Sequence, residues 1–129
     1  MKKSSKKDKA RIYQWVKDWQ KTLFLNDWRI NVCWSEEDEG NVAGRSDCTS
    51  RYFDATITFF PYTLRQDLET QWHIVIHEMT HIVLSHMQSL QARSNNGTMV
   101  TYDEHKDAIE QTTTRLANIF TSAWPHKRV

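Results

Sequence analysis

The stretch HIVIHEMTHIVLSH, residues 73–86, holds four of the chain's six histidines and a single acid, Glu78. Within it, His77-Glu78-Met79-Thr80-His81 matches the pattern H-E-x-x-H. On a helix, residues four apart lie one turn apart on the same side, so both imidazoles can reach one divalent ion. Glu78 falls about 100° round from His77, which puts a carboxylate beside the ion's open position without spending it as a ligand. That is the chemistry of metal-assisted hydrolysis, with His77 and His81 holding the metal and Glu78 as general base. With six His and seven Glu in 129 residues, a random order gives the pattern with a probability of roughly 1–2%. Context adds weight, because the surrounding residues are apolar and burying unpaired ionisable groups there costs several kcal/mol.

The remaining histidines fit the ion less well. His73 lies a turn before His77, and three ligands on successive turns cannot surround one ion, so it is expected beside the site or at the surface. An extended H-E-x-x-H-x-x-G-x-x-H pattern needs Gly at 84 and His at 87, where this chain has Leu84 and Met87, and His86 is out of step. His126 lies in a basic, solvated end. A catalytic zinc needs a third protein ligand and one open position. Glu110, in AIEQTTTRLANIF, and His105 are the two candidates, and spacing favours Glu110 slightly because Thr113 and Ala117 leave room beside it.

Positioning these groups requires a set of elements that the hydrophobic pattern outlines. From Asp8 to about Leu25, Ile12, Trp15, Val16, Trp19 and Leu23 recur at helical spacing. DWRINVCW alternates as a half-buried strand, SEEDEGN is a polar turn, and VAGRSDC and RYFDATITFFP are two more strand candidates, the last ended by Pro61. If ATITFF forms an edge strand above the helix, it offers a place for a peptide substrate to add a strand. A long helix is expected from about Leu64 to Leu90, with Leu68, Trp72, Ile76, Met79, Val83 and Met87 as its main apolar stripe. QARSNNGTMVTY reads as a loop, and a last helix runs from near Asp103 to about Ala123, with Ile109, Leu116 and Phe120 facing the core. The fold class is α+β: an N-terminal helix, a small, mostly antiparallel three-stranded sheet, the H-E-x-x-H helix, and a C-terminal helix carrying the third ligand.

At 129 residues with 39% hydrophobic content and six Trp, the chain can bury one core, and a single domain over 11–124 is expected between a basic disordered tail, 1–10, and a short C-terminal tail, 125–129. The net charge of +1 is uneven. Residues 1–9 carry +4 and the remainder −3. The lysine run reads as a solubilising end, with nucleic-acid contact possible but not favoured. No apolar stretch is long enough for a membrane span, and the basic start lacks the apolar region of a signal peptide, so a cytoplasmic location is expected. Cys33 and Cys48 lack a C-x-x-C spacing and read as free thiols.

With His77, Glu78 and His81 on one helix and Glu110 on the next, the chain resembles the gluzincin branch of zinc metallopeptidases, and more closely the very short zincin-like proteins of phages and prokaryotes. The resemblance covers roughly residues 11–122. Their last helix often reads EQxxxRLA, matched here by Glu110-Gln111 and Arg115-Leu116-Ala117. It implies a minimal zincin-like fold, one Zn2+ held by His77, His81 and Glu110, and hydrolysis of a peptide or protein substrate, in the host cytoplasm if the chain is phage-encoded. Tyr102 and His105 are candidates for the group that stabilises the oxyanion. The second subdomain that walls the cleft of larger relatives has no counterpart. Two alternatives stay open: a zinc-binding regulatory or interaction protein, including a latent enzyme covered by the TSAWPHKRV end, and a protease acting on DNA-bound proteins similar to the SprT-like family.

Overall fold

The structure, a computed structural model, describes residues 2–94 and 102–123, with side chains described over 6–85, 106–107 and 109–123. The elements run α1 (Lys2–Thr22), β1 (Arg29–Trp34), β2 (Gly44–Thr49), a 3-10 turn (Ser50–Tyr52), β3 (Asp54–Phe59), a one-turn α2 (Pro61–Leu64), α3 (Leu68–Ser94) and α4 (Tyr102–Ala123). This is the expected α+β order of helix, sheet and two helices.

α1 begins six residues earlier than the apolar periodicity indicated, so the lysine-rich stretch read as a tail forms the first two turns of a helix. No Gly or Pro interrupts residues 2–22, and an Asp8–Arg11 ion pair one turn apart supports the extension. Further along, Ile12, Trp15, Val16 and Trp19 are buried. Trp15 meets Trp72 of α3 edge-on with centroids 5.1 Å apart, and Trp19 lies 5.5 Å from Trp72 and 6.2 Å from Phe120 of α4. Aromatic burial of this kind supplies most of the energy that fixes one helix on another.

The sheet has the order β1-β3-β2 and is mixed, β2 pairing antiparallel with β3 and β1 pairing parallel with it. The chain leaves β1, returns one position away as β2, and β3 fills the slot between them. ATITFF therefore lies in the central strand, so the condition for adding a substrate strand to it is not met: both sides of β3 are paired, and Ala55, Ile57 and Phe59 point into the core. The two edges belong to β1 and β2. Arg29, Asn31 and Cys33 of β1 and Arg45, Asp47 and Thr49 of β2 are exposed on the face opposite the helices.

Asp67 stands just before α3, and its carboxylate accepts the Thr70 N–H at 2.8 Å and caps an orphan donor. This interaction holds the Asp67 pKa below the usual carboxylate range. The buried side of α3 is Val75, Ile76, Met79 and Ile82, all at most 1% exposed. Leu68 and Val83, expected in the apolar stripe, are instead 42% and 39% exposed; a helix apolar nearly all round does not by pattern alone reveal which side its neighbours cover. The buried polar residues of α3 are each satisfied, as interior polar groups must be. Gln71 accepts from Arg11 and donates to the Thr63 carbonyl, and Thr80 and Ser85 donate back to the Ile76 and Ile82 carbonyls. α4 lies against α3 through Ile109, Thr113 and Ala117, buried at four-residue intervals. Leu116 and Phe120 are only half-buried. Two small residues in that row bring the helix axes close.

Candidate metal centre

His77 and His81 lie one turn apart on α3, with ring centroids 5.0 Å apart. Glu110 enters from α4, one residue after the buried Ile109, so the packing of Ile109 aims its neighbour at the same point. Glu110 Oε1 stands 2.8 Å from His81 Nε2 and 3.5 Å from His77 Nε2. One ligand atom from each of the three residues lies within 4.8 Å of the others. Zinc bonds of about 2.0–2.1 Å in a tetrahedron separate neighbouring ligand atoms by roughly 3.3 Å, a scale comparable with this cluster. Two imidazoles and one carboxylate also form a donor set suited to zinc and to other divalent transition ions. His77, His81 and Glu110 can therefore hold a metal ion. They are half-exposed rather than sealed, so an ion bound there keeps access to solvent.

Glu78 faces β2. Its carboxylate accepts a hydrogen bond from Ser46 Oγ at 2.7 Å, and only 5% of the residue is exposed. Burial raises the Glu78 pKa above the ordinary carboxylate value; the Ser46 hydrogen bond and the His77 charge oppose this, and the Glu110 charge adds to it. The carboxyl is thus electrostatically in reach of two of the three metal-ligating candidates.

The strand beside it is shaped for the purpose. Gly44, Ser46 and Cys48 point toward α3, and a Cβ added at Gly44 would lie 3.1 Å from Glu78 Cγ and 3.3 Å from its Oε2. Gly44 is needed for close approach, since its φ is not in the left-handed region. Gly44→Val is expected to lower stability by about 1–3 kcal/mol through overpacking, read as a shifted urea midpoint, while the zinc stoichiometry stays unchanged. An unshifted midpoint would mean that Glu78 is loosely held.

Ser46 and Gly44 were missed in the sequence. A signal existed, because the inward positions of GRSDCT are Gly, Ser and Cys where a strand packed on a helix usually offers Val or Ile. The free thiols behave as two classes. Cys33 is exposed, whereas Cys48 is half-buried and its pKa is pushed up to about 11, chiefly by burial and then by Asp47. Alkylation at about pH 8, well below that value, is expected to label Cys33 first, with Cys48 reacting only on unfolding or in strong alkali. Equal rates in peptide mapping would contradict this.

His73 is half-buried, with Nδ1 3.4 Å from Thr121 Oγ1, and burial followed by the nearby His77 lowers its pKa. It flanks the cluster and is not part of it. The side chains of His86, Tyr102 and His105, together with His126, lie outside the described residues. No helix among the described residues is long and apolar enough to cross a membrane. Comparison with protein-family models, curated proteins and solved structures finds no match to this chain.

Proposed function

We propose that the chain is a zinc-dependent peptidase in which His77, His81 and Glu110 hold the ion and Glu78 is the general base. The observation that carries the reading is the convergence of three ligand atoms from two helices next to a buried carboxylate that is not among them. The sequence resemblance to short gluzincin-type proteins points the same way. When bound, zinc supplies Lewis acidity for a carbonyl and makes a water easier to deprotonate near neutral pH.

Glu78 takes the proton of the attacking water and returns it to the leaving amine as the C–N bond breaks. A carboxyl raised by burial suits a task that requires both accepting and releasing a proton. Ser46 holds the accepting oxygen in place. Among the described residues, β2 has a strand partner on one side only. Its free edge supplies backbone donors and acceptors to an extended peptide, which would then run past Glu78.

The direct test is to incubate zinc-supplied protein with a mixture of unfolded polypeptides and map new termini by mass spectrometry. Cleavage that a chelator abolishes and added zinc restores is the expected result. Zinc binding without new termini would leave a metal-binding protein and remove the peptidase assignment.

A further inference from the structure

The helical form of the lysine-rich start has a consequence independent of the metal centre. α1 carries seven lysines. At 100° per residue, Lys6, Lys7, Lys17 and Lys21 fall on the half of the helix opposite Ile12, Trp15, Val16 and Trp19, whereas Lys9 turns toward the sheet, its Nζ 5.5 Å from the centre of the Trp34 ring. Lys6, Lys7 and Lys21 are exposed. Of the two acids of α1, Asp8 is engaged by Arg11, and Asp18, which accepts from Gln14, is exposed at the rim of this face and offsets one of its four lysines. Counted over the chain, α1 carries +6 and the remaining residues −5. The charge separation is therefore much larger than the net charge of +1 indicates.

We propose that this outward face of α1 binds a nucleic-acid duplex through its phosphate backbone. From Lys6 to Lys21 the stripe runs about 22 Å along the helix with a net positive charge, which matches a linear array of phosphates. A membrane surface fits less well, because the apolar side that would insert is already consumed by the core. An acidic protein partner also fits less well, since the face has no apolar anchor: its one large exposed aromatic, Tyr13, lies under the Lys17 ammonium at 5.3 Å. Single strands need several stacking rings, and for the same reason the face does not offer them. The duplex contact is sequence-independent, as only charge is presented. Because Trp15 and Trp19 fix α1 on Trp72, the stripe points away from α3.

The test is fluorescence anisotropy with the full chain and labelled random-sequence DNA and RNA duplexes of about two helical turns. Four phosphate contacts give a salt slope of about −3.6, so affinity should fall about 150-fold between about 50 and 200 mM salt. The quadruple variant Lys6→Gln, Lys7→Gln, Lys17→Gln, Lys21→Gln should flatten the slope to near zero. Circular dichroism and zinc stoichiometry should remain unchanged in it, which separates loss of the surface from loss of fold. Arg51→Gln with Lys106→Gln, which removes charge elsewhere, should leave duplex binding intact. Binding to DNA alone, to RNA alone or to both supports the proposal and identifies the source of the phosphates. No duplex binding at low salt would overturn it. So would an unchanged slope in the quadruple variant, or tighter binding to single strands, to phosphatidylserine vesicles or to polyglutamate than to either duplex.

Discussion

Replacing Glu110 by alanine is expected to reduce the zinc affinity of the purified protein by at least about 100-fold, whereas His105→Ala retains one ion per chain. Loss of a partner that merely orients a ligand costs about 10–100-fold in metal affinity, and a directly coordinating carboxylate contributes more. Glu110 Oε1 contacts both imidazoles, at 2.8 and 3.5 Å, so its removal deletes a ligand and also the contact that organises the other two. Metal content measured after purification without added zinc, followed by competition with a chromophoric chelator, reads both effects. Equal losses in the Glu110 and His105 variants would show that the third ligand has been assigned to the wrong residue. An absence of zinc in the wild type even after supplementation would mean that His77, His81 and Glu110 form only an ion pair, and the peptidase reading would fall with it.

Glu78→Gln separates binding from chemistry. The substitution keeps the volume of the side chain and an amide oxygen to accept from Ser46, so the packing against Gly44 and β2 is preserved. It removes the basic oxygen. Zinc stoichiometry should be unchanged, while chelator-sensitive cleavage falls by about 100- to 10,000-fold, the usual contribution of a positioned general base. Turnover that survives in this variant would assign proton transfer to another group. Zinc loss in it would instead place Glu78 among the ligands, which its burial against β2 argues against.

The two predictions draw on different sources of information. H-E-x-x-H is a local pattern: helical geometry alone places His77 beside His81, and the structure has both rings there, 5.0 Å apart. Glu110 was reached by resemblance and by the small neighbours Thr113 and Ala117, and it meets the histidines only because those buried residues let α4 approach α3. Ser46 and Gly44 lie more than thirty residues from Glu78, and no local periodicity connects a strand to the helix that it covers.

The same division runs through the fold. Strongly periodic segments such as Ile12–Trp19 and the alternation of DWRINVCW determined the type and order of the elements, because local backbone geometry dictates which side chains share a face. Pairing, by contrast, is a global choice. That β3 is central, that β1 runs parallel to it and that β2 holds the edge beside Glu78 depend on where the intervening turns return the chain. The lysines of α1 show a further limit, since charged residues carry little periodic hydrophobic signal and the helix that aligns them continues from a buried segment downstream. The sequence by itself determined the elements and the two histidines with their adjacent carboxylate. Tertiary structure alone decided which strand covers that carboxylate, how closely α4 brings the third ligand, and that the lysines form one stripe, because each depends on contacts between residues distant in the chain or on a helix anchored by such contacts.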